Sequence, residues 1–154
     1  MIQRIQTLYL LLVTGLVACT ALLPLASFAA GGEEFSLQAF GLRSSAAETV
    51  QPALYLGILL ALAFVLPLAT IFLYRRRMLQ FRLCAAEMAL LLGAQIMAGI
   101  YCYLGYRTSA VFEFHAMNVK PPLVLPLIAM PFDYLAMRGI LRDERLVRSL
   151  DRIR

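Results

Sequence analysis

The chain has 154 residues, of which 62% are hydrophobic and 15% charged, with a net charge of +5 and a mean hydropathy of +0.79. A soluble domain carries about 25% charged and about 45–50% apolar residues, so this composition excludes an ordinary water-soluble fold and marks an integral membrane protein. Seven Pro, nine Gly and three Cys exclude collagen-like repeats, low-complexity disorder and a disulfide-stapled secreted scaffold.

An ionised side chain at mid-bilayer costs about 2.5–3.5 kcal/mol even on the lenient insertion scale, so long charge-free intervals locate the spans. Residues 5–32 carry no charge, residues 49–74 none between Glu48 and Arg75, residues 88–106 none between Glu87 and Arg107, and residues 121–137 only Asp133. A hydrocarbon core takes about 20 helical residues. The expected architecture is therefore an all-α integral membrane protein, a four-transmembrane-helix bundle forming one domain over 1–154. Its spans cover about 5–29, 53–74, 83–105 and 121–138, with outer loops 30–52 and 106–120, inner loop 75–82 and tail 139–154.

Span one offers two cleavage-like patterns, Leu16-Val17-Ala18-Cys19 and Ser27-Phe28-Ala29. Its apolar stretch runs on through Pro24-Leu25, well beyond the about 7–15 residues of a signal h-region, so an uncleaved span is expected. In the first outer loop, Glu34 to Leu42 partly alternates apolar and polar residues. In the second, Val111 to Val119 alternates more clearly. Period two predicts short strands, and one per loop predicts a small two-stranded antiparallel sheet, with Phe112 and Phe114 toward the membrane and Glu113 and His115 toward water.

Small residues four apart let helices approach closely in lipid. Ala53-Gly57-Ala61 provides this on span two; Ala85-Ala89-Gly93 and Ala94-Ala98-Cys102 give span three two such faces. Pro24, Pro67, Pro126 and Pro131 are expected to bend spans one, two and four. Tyr55, Tyr101, Tyr103 and Tyr106 near outer ends and Tyr74 near an inner end suit interfacial anchors.

Three polar residues within the spans form a candidate intramembrane site. Glu87 lies five residues past Arg82, and Asp133 five residues before Arg138, about 7 Å from the same side in each case. Read structurally, they pair with Arg138, Arg82 or Arg75 to Arg77 by snorkelling. Read functionally, they form an ion or proton site in the inner half of the bundle. Gln95, near the middle of span three, suits an interhelical hydrogen bond.

The tail has the opposite character. At 100° per residue, Ile140, Leu146, Val147, Leu150 and Ile153 share an arc of about 140°, and Arg138, Arg142, Arg145, Arg148 and Arg152 occupy another. This predicts a basic amphipathic helix that lies on the inner leaflet or docks a cytoplasmic partner. With the N-terminus inside, eleven of the 14 Lys and Arg fall in inner segments, so both termini are expected in the cytoplasm. No aromatic interleaves the tail arginines, which argues against nucleic acid.

The chain lacks the equipment of an enzyme. Its one His, His115, lies in a loop, and Cys19, Cys84 and Cys102 form no C-x-x-C pair. No G-x-S-x-G, H-E-x-x-H or P-loop pattern occurs, and no cofactor or metal set is assembled.

The opening Met1-Ile2-Gln3-Arg4-Ile5-Gln6-Thr7-Leu8-Tyr9-Leu10-Leu11-Leu12, the first-loop Phe40-Gly41-Leu42, and the closing Arg142-Asp143-Glu144-Arg145-Leu146-Val147-Arg148-Ser149 with Asp151-Arg152 resemble a Bacteroidota family of small four-span membrane proteins, domain of unknown function 4293. The resemblance spans essentially the whole chain. It implies an uncleaved N-terminus, four helices and residence in a bacterial inner membrane, and it carries over no catalytic or binding residue. The resulting expectation is a non-enzymatic inner-membrane component that meets lipids and a membrane or cytoplasmic protein partner. Its rival is a small transporter or channel subunit, working as a homo-oligomer through a membrane carboxylate. A weaker third is an envelope or lipid sensor using the outer strands.

Overall fold

The computed structural model describes residues 2–30, 33–44, 49–73, 76–110 and 114–151. Four helices form the body: α1 (Ile2–Leu22), α2 (Leu54–Phe72), α3 (Arg77–Ala110) and α4 (Leu125–Asp151). Each is long and apolar enough to cross a membrane. α1 packs on α2 and α4, and α3 packs on the same two, so the helices close an up-and-down ring.

One repeat explains the packing. Buried positions run Gln6, Leu10, Val13, Val17, Thr20 on α1, and Leu56, Leu60, Ala63, Pro67, Thr70 on α2. They run Gln80, Cys84, Glu87, Leu91, Ala94, Ala98 on α3, and Ala129, Asp133, Ala136, Ile140 on α4. Steps of four and three alternate along these runs, the 3.5-residue period that keeps one seam of each helix facing its partners. Outward faces carry Leu8, Leu11, Ile58, Val65, Ile96 and Leu127, each about half exposed or more. That apolar exterior suits lipid rather than water. Hydroxyls are satisfied locally, since Thr14, Thr20 and Thr70 each donate to the carbonyl four residues back.

Several sequence expectations are corrected in detail. Span one, expected over 5–29, ends as helix at Leu22, and the apolar residues after Pro24 form a strand. A short apolar run is equally compatible with a buried strand, and Pro24 decides the break. The inner loop, expected over 75–82, shrinks to the residues between Phe72 and Arg77, because arginines end a membrane span without ending a helix. For the same reason the tail is no separate amphipathic helix; it is the last four turns of α4. Of the four prolines, Pro67 and Pro131 lie inside helices. Pro126 falls in the first turn of α4, where a missing N–H costs nothing. Ala94-Ala98-Cys102 packs inward, whereas Ala85 and Ala89 are exposed.

The expected two-stranded sheet is five-stranded, antiparallel, in the order β4-β3-β2-β1-β5: β1 (Ala26–Ala30), β2 (Glu33–Gln38), β3 (Gly41–Ser44), β4 (Thr49–Pro52) and β5 (Phe114–Val119). The 34–42 segment is a hairpin rather than one strand, turning at Ala39 and Phe40. It does not pair with the second loop, because β1 lies between them, with Phe28 opposite Phe35 on one side and Met117 on the other. Phe112 and Glu113 lie outside the described residues, as do the side chains of Phe114 and His115.

The sheet caps the end of the ring opposite the start of α1 and the end of α4. Leu25 N–H donates to the Leu37 carbonyl at 2.7 Å, and Lys120 N–H to the Leu25 carbonyl at 3.0 Å, tying both loops to the exit of α1. Phe28, 1% exposed, lies against α3 at Gly105, where a Cβ would meet its ring at 2.9 Å. Glycine is what allows the ring to seat there. A short 3-10 turn, Pro121–Val124, opens α4.

Candidate functional site

Two layers of polar residues cross the helical ring. The first lies within the stretches of α3 and α4 that are long and apolar enough to cross a membrane. Glu87 on α3 and Asp133 on α4 both occupy core-facing seam positions and are 0% exposed. The antiparallel geometry sets them at one level: Arg77 touches Asp143, and Glu87 lies ten residues along α3 from the first while Asp133 lies ten residues back along α4 from the second. At 1.5 Å per residue both stand about 15 Å inside that contact. Each carboxylate is within electrostatic reach of the other, and Cys84 is the third titratable group that both address.

The snorkelling partners expected for these acids do not reach them. None of the four carboxyl oxygens has an N–H or O–H partner among the described residues; the Cys84 thiol is the hydrogen-bonding group beside Asp133. Arg82 and Arg138 are exposed on other faces of their helices. Apolar layers close the acids in on both sides, with Leu91 and Ala129 toward the sheet and Leu10, Cys84, Ala136 and Ile140 toward the opposite end. The Tyr9 and Phe132 rings, with centroids 6.4 Å apart, cover the α1–α4 side. Burying a carboxyl group without a strong hydrogen-bond partner costs free energy in either protonation state, so the pair is a burden on folding rather than a source of stability. Gln95 is half-buried, and its Oε1 is likewise without a partner among the described residues. It lies two turns from Glu87 on α3, so the structure does not gather all three expected residues at one point. Among the described residues no three His, Cys, Asp or Glu side chains come together to hold a metal ion.

The second layer is at the end opposite the sheet. Gln6 Nε2 on α1 donates to Asp143 Oδ2 on α4 at 2.8 Å. Arg77 Nη1 donates to the Asp143 carbonyl at 3.1 Å. Gln80 Nε2 donates to the Thr70 carbonyl at 2.9 Å, in the last turn of α2, where a helix runs short of its own donors. Gly139 leaves room for this layer, since a Cβ there would lie 3.0 Å from Gln6 Cγ. All four helices are thereby linked by side chains at one end.

Gln6, Gln80 and Asp143 were not singled out by sequence reasoning. The signal was present, because Asp143 follows Ile140 by three and so continues the α4 seam just as Gln6 and Gln80 begin those of α1 and α3. Of the tail arginines, Arg138, Arg142 and Arg145 are exposed on the outer face of α4; the side chain of Arg148 and the whole of Arg152 lie outside the described residues. Two cavities mark this end. One, of 610 Å³, is lined by residues of α4 that include Tyr134, Arg138, Arg142 and Arg145. The other, of 470 Å³, lies between Arg76, Arg77 and the tail at Glu144 and Val147.

No curated protein matches the chain. A family model does, over residues 2–153, and its ends take in both partners of the Gln6–Asp143 contact. The chain belongs to the family described as Domain of unknown function (DUF4293).

Proposed function

We propose that this chain is a non-enzymatic, multi-pass component of a bacterial inner membrane, with both termini in the cytoplasm, that acts through partners bound at its basic cytoplasmic end. The observation that carries this reading is the double contact on Asp143. Gln6 from α1 and Arg77 at the start of α3 fix the tail against the bundle, converting three separate segments into one preformed basic surface. Preformed surfaces bind with less ordering cost than free tails. The test is mild-detergent purification of the full chain from native membranes, with quantitative mass spectrometry. A stoichiometric protein partner is expected with the native chain and is lost with Asp143→Ala. A chain that purifies alone defeats the reading.

A second reading rests on a different observation, Glu87 and Asp133 buried at one level with no basic side chain beside them among the described residues. Intramembrane acids without a basic counter-charge suit movement of a proton or small cation, here in an oligomeric transporter or channel subunit. In proteoliposomes that reading requires a flux that Glu87→Gln and Asp133→Asn each abolish. Flux unchanged in both variants removes it.

A further inference from the structure

The charges of the tail are sorted by face. Measured at 100° per residue from Arg138, the seam residues Ala136, Ile140 and Asp143 centre on the bundle side, while Arg138, Arg142 and Arg145 fall within about 60° of one another on the opposite side. Neither acid of this stretch lies on that face. Asp143 is held by Gln6 and Arg77, and Glu144 lines the other cavity beside Arg76 and Arg77. The 610 Å³ cavity on the outward face therefore contains three exposed guanidiniums and no carboxylate. Arginines at i, i+4 and i+7 repel one another, so the arrangement favours a bound anion.

The same face also shows what carries that anion. Toward the membrane it continues as Leu127, Ile128 and Leu135, all exposed, with Tyr134, 47% exposed, at the boundary between the apolar and basic parts. An apolar strip, one interfacial phenol, then three guanidiniums within about 10 Å of helix is the profile of a phospholipid standing beside α4. We infer that Arg138, Arg142 and Arg145, with Tyr134, form a binding site for the phosphate of one anionic phospholipid, whose acyl chains lie along Leu127, Ile128 and Leu135. The guanidinium fork matches a phosphate in bidentate geometry, which an ammonium does not. The inference uses the cytoplasmic placement of the tail proposed above, and it is independent of any protein partner.

The experiment is native mass spectrometry of the full chain, released from micelles containing equal amounts of phosphatidylglycerol and phosphatidylethanolamine. The native chain is expected to retain one phosphatidylglycerol with about tenfold preference. Arg138→Gln, Arg142→Gln and Arg145→Gln combined should erase the preference, the corresponding triple Lys variant should keep part of it, and Arg82→Gln should leave it unchanged. These three side chains face away from the bundle, so thermal unfolding of the triple Gln variant should match that of the native chain, separating lost binding from lost fold. Equal retention of the two lipids by the native chain, or a preference that survives in the triple Gln variant, overturns the site. Placement is read separately, from labelling of Ser149→Cys in a chain whose own cysteines are replaced. Access only from the outer side would refute the cytoplasmic tail while leaving the lipid preference to be judged on its own data.

Discussion

Gln6 and Asp143, 137 positions apart in the chain, meet at the end of the helical ring, with Gln6 Nε2 donating to Asp143 Oδ2 at 2.8 Å. The contact joins the first turns of α1 to the last turns of α4, both inside the stretches that carry the family resemblance. It accounts for a tail that stays in register with the bundle instead of splaying onto the lipid surface.

Removing either partner should therefore release the tail before it harms the membrane core. Gln6→Ala and Asp143→Ala are each expected to cost about 1 kcal/mol of stability in detergent. The double variant should cost less than the sum, since one interaction is lost in all three. Limited trypsinolysis should cut at Arg142 and Arg145 several times faster in each variant than in the native chain. Unchanged cleavage would mean that the contact does not hold the tail.

Gln80 is expected to matter more than its place near a turn suggests. Its amide serves the Thr70 carbonyl in a buried setting, and Gln80→Leu leaves that carbonyl without its donor. The expected loss is about 1–3 kcal/mol, read as a lower unfolding midpoint, with Gln80→Glu also failing because an ionised carboxylate cannot donate.

The helices were legible in the sequence because charge is so costly in a bilayer that its absence marks a span. What charge cannot mark is where a helix ends. Arg77, Arg138 and Arg142 are good helix formers in water, so α3 and α4 run past the expected membrane edges. Leu25 to Ala30 misled for the opposite reason: it is apolar enough for a span but follows Pro24 and pairs on both sides as β1. β3 and β4 are four residues each, too short for period two to register. The level of Glu87 and Asp133 could be read by counting from Arg82 and Arg138. Their lack of basic partners could not, because it depends on which faces those arginines turn outward.

Gly105 is where the sheet is seated on the helices. Gly105→Ala places a methyl group 2.9 Å from the Phe28 ring, in a contact where Phe28 is already fully buried. Overpacking of this kind costs about 1–3 kcal/mol. Hydrogen exchange should rise across β1 and its partners while the seams of α1 and α4 keep their protection. Phe28→Leu in the same chain should recover part of the loss by vacating the space the methyl group needs.

The buried acids permit the sharpest separation of stability from function. Glu87 has no hydrogen-bond partner among the described residues and Asp133 has the weak Cys84 thiol beside it, so both acids carry a desolvation cost with little to offset it. Replacing both with apolar groups of similar volume, Glu87→Met with Asp133→Leu, should raise stability in detergent by about 1–3 kcal/mol, read as a higher unfolding midpoint. A natural sequence that forgoes such a gain is expected to draw some benefit from the acids. The double variant should thus be more stable than the native chain yet fail to complement a deletion strain under whatever growth condition requires this protein. Should it instead lose stability, the two carboxylates are bound to each other or to a third group in a way that supports the fold. Should it gain stability and complement fully, they serve neither purpose.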